Sequence, residues 1–285
     1  MASMRDIKRR KSSVQSTQQI TKAMKLVSTV KLQRARADAE RSKAYFECMY
    51  STVNSILART GGIDHKYLRE AESKKKAVIV ITSNRGLAGG YNSNIIKLVK
   101  GREDFGKEDT LIYAIGSKGK DALAKEGYEI RMDLPEVMEQ PCYRDAMHLC
   151  DALLKAFEEG EIGEIYLAYT AFKNTVSHVP TLLKLLPVEP QEITEEEESR
   201  ALMNFEAEDE EALNMLIPKY VTSLIYGGLI EALASENGAR MQAMDNATSN
   251  AEEMISDLTL KYNRARQGSI TQELTEIIAG AEAIS

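Results

Sequence analysis

Two glycine-rich stretches are the residues of this chain whose spacing could bind a phosphate. Ser83–Asn92 reads Ser-Asn-Arg-Gly-Leu-Ala-Gly-Gly-Tyr-Asn, Gly116–Gly119 reads Gly-Ser-Lys-Gly, and each follows an apolar run. Such turns can present backbone N–H groups to a phosphate at a helix N-terminus. The first stretch matches neither GxGxxG nor GxxxxGK[ST], and no acidic residue lies about 20 positions further on at the end of a second strand. We therefore interpret both as tight strand-to-helix turns, with nucleotide binding as the less favoured alternative.

The sequence offers no set of residues for metal binding or catalysis. Its cysteines and histidines show no metal-ligand spacing, and its carboxylates occur in runs, not as isolated pairs in apolar surroundings. These six residues are Cys48, Cys142, Cys150, His65, His148 and His178. We predict no cofactor, no metal and no catalytic residue in this chain. Cysteines without a CxxC pair favour a reducing, cytosolic environment.

Charge is distributed unevenly along the 285 residues, although the net charge is only −6. Residues 1–36 carry ten Lys or Arg against a single acid, Asp6. Such asymmetry predicts an acidic partner for the N-terminal segment. No apolar run reaches the roughly 18 residues of a transmembrane helix, and the N-terminus has no signal-peptide core.

Residues 1–60 contain neither glycine nor proline and predict one helix of about 55 residues, ended by Gly61-Gly62. We expect Val27 on its coiled-coil seam. Its basic residues could form a solvated face, a nucleic-acid surface or a surface for acidic protein loops. Nucleic acid is disfavoured because the first 44 residues contain no aromatic side chain for base stacking.

Residues 208–285 predict a second long helix that pairs with residues 1–60. About 60 helical residues span roughly 90 Å, so this helix needs another long helix to cover its apolar stripe. The seam alternates steps of four and three: Met244, Thr248, Ala251, Ile255, Leu258, Tyr262, Ala265, Ser269, Gln272, Glu276 and Ala279. Its last positions are small and polar. They indicate either a frayed tail or a helix end surrounded by proteins that must not grip it permanently.

Residues 74–190 predict a Rossmann-like α/β domain inserted between the two long helices. Five strands are expected at 77–82, 110–115, 128–132, 165–170 and 179–186, with helices between them, and this alternation favours a mostly parallel sheet. Pro180 places the last strand at an edge because proline donates no ladder hydrogen bond. Ser93 is the expected cap of the helix that ends at Lys100. The acidic stretch 191–207 is interpreted as a linker.

Four segments together resemble the γ subunit of bacterial F-type ATP synthase. They are Ile20–Val27 (ITKAMKLV), the Ser83–Asn92 turn, Ala239–Met244 (ARMQAM) and Tyr262–Leu274 (YNRARQGSITQEL). They occur in order across the whole chain. The resemblance implies an antiparallel coiled coil carrying an α/β domain, and a role as the central shaft of a rotary motor.

The family's role implies the partners of this chain. One copy would turn inside a ring of three α and three β subunits, which bind the nucleotides, while its α/β domain stands beside the ε subunit on the membrane ring of c subunits. The chain itself would be non-catalytic, without a cofactor, and peripheral at the cytoplasmic face of the bacterial plasma membrane. Protons are the default coupling ion, with sodium as the alternative.

The resemblance also implies contact residues. Lys22, Met24 and Lys25 would lie near β loops, Arg240 on the shaft near β, and Glu206 at the foot facing the c ring. At the C-terminal end, a catch loop of β would engage Arg266 and Gln267, with Thr271 and Glu276 further along. The competing hypothesis is a stand-alone nucleic-acid or nucleotide-binding protein with a basic arm, which leaves the C-terminal motif unexplained.

Overall fold

The computed structural model describes residues 4–59, 65–69, 73–175, 177–188 and 209–282. They divide into two compact units. The coil unit combines residues up to Ser28 with those from Met241 onward, and the sheet unit runs from Thr29 to Arg240. Among the described helices, none has the length and apolarity needed to cross a bilayer.

The described chain consists of five α-helices, five strands and one short 3-10 helix. In order they are α1 (Met4–Arg59), β1 (Lys76–Ile81), α2 (Tyr91–Lys100), β2 (Thr110–Ile115), α3 (Ser117–Lys125), β3 (Glu129–Asp133), the 3-10 helix (Pro135–Met138), α4 (Tyr143–Glu158), β4 (Glu164–Phe172), β5 (His178–Leu186) and α5 (Asp209–Glu282). Pro218 does not end α5, and its carbonyl accepts a hydrogen bond from Thr222 Oγ1 at 2.8 Å.

The five strands form one sheet in the order β3-β2-β1-β4-β5. All neighbours are parallel except β4 and β5, which pair antiparallel. The mostly parallel sheet and the edge position of the strand with Pro180 are confirmed. Each predicted strand lies within two residues of its observed bounds. The predicted linker 191–207 lies outside the described residues.

Both faces of the sheet are buried, which explains why β1 is apolar without alternation. Ala77, Ile79 and Ile81 join a core that includes side chains of α4 and α5. Val78 and Val80 join a second core with side chains of α2 and α3. The sheet unit is therefore a three-layer structure with β1 at its centre.

The start of α2 differs from the prediction that Ser93 caps this helix. Helix α2 begins at Tyr91, and Gly90 is its N-cap residue. The hydroxyl of Ser93 instead donates to the Gly90 carbonyl at 3.0 Å. The prediction was wrong because the chain enters the helix directly from the glycine-rich turn, three residues earlier than a cap at Ser93 would require.

In the coil unit, α1 and α5 pair antiparallel. Gln18 Nε2 donates to Glu252 Oε1 at 3.0 Å, and Lys25 Nζ lies 2.6 Å from Asp245 Oδ1. Between these contacts the hydroxyls of Thr21 and Thr248 lie 2.8 Å apart, one donating to the other. The antiparallel coiled coil is confirmed, and its seam contains buried polar groups that are satisfied by each other.

The seam of α5 follows the predicted positions, whereas the seam of α1 does not. Met244, Thr248, Ala251 and Leu258 are buried. On α1 the buried positions include Thr21 and Ser28, and Val27 is 58% exposed. The expectation that Val27 lies on the seam was wrong. Two series of residues with helical spacing run along α1, one with Val27 and one with Thr21 and Ser28. The series with Thr21 lies on the seam, where Thr21 contacts Thr248 of α5.

We predict that Thr21→Asp destabilises the coil unit and that Val27→Asp does not. A carboxylate at position 21 would be buried against Thr248, and Lys25 one turn further on is already paired with Asp245, so the change should cost about 2 kcal/mol or more. The same residue at position 27 points to solvent and should change stability by less than about 0.5 kcal/mol. Thermal melting of the purified chain, followed by far-ultraviolet circular dichroism, measures both.

The two variants control for each other because both introduce the same charge and helix propensity into α1. Equal loss of helix in both would show that the seam also runs through Val27. No loss in either would contradict the Thr21–Thr248 contact.

Candidate interaction surface

An apolar stripe lies on the solvent side of α1 in the coil unit. Ile20 is 60% exposed, and Leu26 and Val27 are exposed to a similar extent. Lys22, beside them in the chain, is also exposed. Apolar side chains left in water next to cations are typical of a surface that another protein covers. Sequence reasoning missed this stripe because it placed Val27 on the seam.

The C-terminal end of α5 extends past the described start of α1. In the Gln18–Glu252 and Lys25–Asp245 contacts the two residue numbers sum to 270, so position 4 faces position 266. All described side chains from 270 to 281 are exposed. Among these exposed residues are Ile270, Leu274, Ile277 and Ile278. A single helix with this much exposed apolar surface is stable only where other groups cover it.

The four predicted contact residues of the C-terminal end all lie in this single-helix segment or at its start. Arg266 and Gln267 are exposed. Thr271 Oγ1 donates to the Gln267 carbonyl at 2.9 Å, and Glu276 Oε1 accepts from Gln272 Nε2 at 2.9 Å. The side-chain bonds of Thr271 and Glu276 connect neighbouring turns of the same helix. The predicted contacts are therefore accessible on one segment.

The predicted residues of α1 lie in the paired part of the coil. Lys22 is exposed, and Met24 is half-buried. Lys25 forms an ion pair with Asp245, with side chains exposed enough for water and salt to screen it. Lys25 therefore contributes to the pairing of α1 with α5, a contact that the sequence did not indicate.

The two remaining predicted residues are Arg240 and Glu206. Arg240 belongs to the sheet unit, where its guanidinium pairs with Glu236 at 2.7 Å. Glu206 lies outside the described residues. The proposed contact roles of these residues and of those on the coil stay predictions.

The backbone N–H groups of the Gly116–Gly119 turn donate to acceptors within the sheet unit. At the start of α3 the N–H groups of Ser117, Lys118 and Gly119 donate to Asn84 Oδ1 (3.1 Å), the Ser83 carbonyl (3.1 Å) and Thr82 Oγ1 (2.8 Å). These are the groups that a phosphate would otherwise meet at a helix N-terminus. The arrangement supports the interpretation of Gly116–Gly119 as a structural turn.

Glycine is required at position 116 because the residues that follow β1 and β2 lie very close together there. Its φ is +98°, and a Cβ at this position would lie 2.0 Å from the Thr82 carbonyl oxygen. Only glycine tolerates both the positive φ and this contact. The turn therefore brings α3 directly onto the end of β1.

Comparisons with known proteins agree across the whole length of the chain. A family model described as ATP synthase matches residues 3–284. The ATP synthase gamma chain of Lachnoclostridium phytofermentans is 65% identical over 292 residues, covering 100% of both chains. The sodium-ion-specific ATP synthase gamma chain of Acetobacterium woodii is 41% identical and covers 99% of each.

Solved structures agree at the level of the fold. A chain of the mitochondrial ATP synthase of Euglena gracilis, from a structure with OSCP, F1 and the c ring in rotational state 3, superposes with a TM-score of 0.67. It covers 99% of this chain and 94% of its own length at 18% identity. With two long helices around an α/β sheet, an exposed C-terminal helix end and full-length similarity to bacterial gamma chains, this chain belongs to the ATP synthase gamma chain family.

Proposed function

We propose that this chain is the central rotor shaft of a bacterial F-type ATP synthase. The observation that carries the proposal is the C-terminal end of α5, whose described apolar side chains from Ile270 to Ile278 are exposed. Inside a ring of three α and three β subunits these side chains would be covered. The full-length similarity to bacterial gamma chains supports the same assignment.

The shaft couples rotation of the c ring to ATP synthesis or hydrolysis on the surrounding subunits. Nucleotides bind on α and β, and the γ chain contributes no catalytic group. Its asymmetric surface imposes different conformations on the three β subunits as it turns. Protons drive the rotation by default. A relative named as sodium-ion specific makes the coupling ion a property to be measured for this complex.

The basic surface of α1 would face acidic loops of β. Residues 1–36 carry ten Lys or Arg and a single acid, and Lys22 is exposed on the coil unit. Attraction between exposed charges is weak, about 0–1 kcal/mol for a pair. Many such contacts can be exchanged between angular positions without a large barrier, as a rotating helix requires.

The foot of the shaft would stand on the c ring beside the ε subunit. Glu206 is the family-matched residue for the polar loops of the c ring. Through this contact the chain is a peripheral protein on the cytoplasmic face of the plasma membrane. Its partners are thus α, β, ε and c, with one γ copy in each α3β3 ring.

We expect this chain to join its matching α and β subunits on co-expression as one copy per three α and three β. Native mass spectrometry measures the stoichiometry, and ATPase assays with and without the chain measure its contribution to turnover. Activity that depends on the chain supports the shaft. Failure to join the ring, together with salt-sensitive binding to DNA or RNA, would favour the nucleic-acid-binding alternative.

We predict that Arg266→Ala combined with Gln267→Ala lowers ATP turnover or proton pumping of the assembled complex by roughly tenfold, equivalent to about 1.4 kcal/mol. The reason is loss of charge-assisted hydrogen bonds to a catch loop of β. The free chain should keep its melting temperature because both side chains are exposed. Steady-state hydrolysis and acidification of vesicles measure the two activities.

Arg264→Ala is the matched control because it removes an exposed arginine from another face of the same helix. It should have a much smaller effect than the double variant. Unchanged hydrolysis and pumping in the double variant would refute the catch-loop assignment. Equal losses in both variants would attribute the effect to the general charge of this helix end.

A further inference from the structure

The proposed shaft function assigns no role to the glycine-rich loop Ser83–Asn92. It connects β1 to α2, and Leu87 at its tip is 64% exposed with a φ of 64°. A side chain in the left-handed region is strained. The surrounding contacts must therefore hold the loop in this conformation.

Two anchors lie within the α/β fold, at the ends of the loop. Asn92 Oδ1 accepts from the Ser83 N–H at 2.9 Å. Asn84 Nδ2 donates to the Pro135 carbonyl at 2.7 Å, and its Oδ1 accepts from the Ser117 N–H. These bonds attach both ends of the loop to the sheet, and Ser83 Oγ donates to the Arg85 carbonyl at 2.6 Å.

The third anchor comes from α5. Arg240 Nη2 donates to the backbone carbonyl of Arg85 at 3.4 Å, while its Nη1 donates to Glu236 Oε1 at 2.7 Å. The two side chains are only 13% and 11% exposed. The planar guanidinium has several donors in a fixed fork, so a single residue can bind the carboxylate and the loop together.

The Arg240–Glu236 pair is largely buried, whereas the contact of Arg240 with the Arg85 carbonyl is exposed. Burial raises the pKa of the Glu236 carboxyl, and Arg240 beside it opposes this rise. Burial also raises the pKa of Tyr91 well above its usual value, and Glu236 adds to that increase. The ion pair is therefore little screened by water. Removing the arginine would leave a buried carboxylate without its partner.

Neighbouring contacts hold α5 to the sheet independently of Arg240. Ser235 Oγ donates to the Thr170 carbonyl at 3.0 Å, and Glu231 Oε2 accepts from the Phe172 N–H at 3.3 Å. Gly238 lies so close to β5 that a Cβ there would be 2.6 Å from His178 Nε2. Loss of the Arg240 contact should therefore release the loop without detaching the helix.

We propose that Arg240 is a positioning residue whose guanidinium latches the glycine-rich loop to α5 at the Arg85 carbonyl, which it shares with the Ser83 hydroxyl, with Glu236 holding the guanidinium in place. The loop then turns with the helix as one body. The effect of this latch on the coupling of rotation to ATP turnover rests on the proposed shaft function. The latch itself is a property of the free chain, and it gives Arg240 an internal role beside its predicted contact with β.

Hydrogen exchange of the free full-length chain tests the latch directly. Arg240→Met keeps the aliphatic length and removes both donors, so we expect amide exchange of the loop, residues 83–91, to accelerate at least about tenfold. Arg240→Lys keeps the charge without the fork and should give an intermediate increase. Exchange in β1 and β4 should not change.

Arg85→Ala is the matched control because the latch binds the backbone carbonyl of Arg85, not its side chain. It should leave loop exchange unchanged. Unchanged loop exchange in Arg240→Met, or equal acceleration in Arg85→Ala, would overturn the latch. Faster exchange throughout the sheet unit would also overturn it, because Arg240 would then be a general stabilising residue.

The assembled complex supplies a readout that a purely structural role would not change. Arg240→Met should lower the number of protons pumped per ATP hydrolysed by at least about twofold, and Arg85→Ala should preserve it. An unchanged ratio despite faster loop exchange would overturn the coupling role. A wild-type chain that fails to assemble would refute the shaft function instead, and the exchange result on the free chain would still stand.

Discussion

The sheet unit depends on the burial of one face of α5 against the sheet and α4. Leu213, Ile217, Val221, Ile225 and Leu229 are fully buried at helical spacing. Each such side chain contributes about 1.5–3 kcal/mol, which is ample to hold a helix that contains Pro218. The same face of α5 shares a core with side chains of β1, so the packing of the helix and the packing of the central strand stabilise each other. The three-layer arrangement follows from this apolar contact.

The coil unit follows a different physical principle. Its seam contains Thr21, Ser28 and Thr248 where a stable coiled coil would carry leucine or isoleucine. Hydrogen bonds between buried hydroxyls contribute only about 0.5–1.5 kcal/mol each, less than the packing of large apolar side chains. They favour this register only weakly, because each threonine hydroxyl also reaches a backbone carbonyl of its own helix. The larger apolar side chains of α1 remain on the outside, available to partners.

Sequence alone predicted the sheet unit well because its signals are local. Continuous β-branched runs located the strands, and Pro180 identified an edge. The seam of α5 was also predicted, because its residues from Met244 to Leu258 form a single series with steps of four and three, without a competing one. The seam of α1 was not, since Val27 and Thr21 belong to competing series and only the facing residues of α5 decide between them. Residue identity alone also did not reveal that Arg240 binds the Arg85 carbonyl, a contact 155 positions apart.

The glycine-rich turns illustrate how a Rossmann-like sheet can serve a mechanical role. In nucleotide-binding proteins, free N–H groups at the carboxyl end of the sheet bind phosphate. Here Ser83, Asn84 and Thr82 provide the acceptors for the first N–H groups of α3. A turn that satisfies its own donors needs no ligand to be stable. The loop after β1, which supplies these acceptors, also offers the Arg85 carbonyl to Arg240, so that the edge of the sheet used elsewhere for ligands is fastened to the helix that transmits rotation.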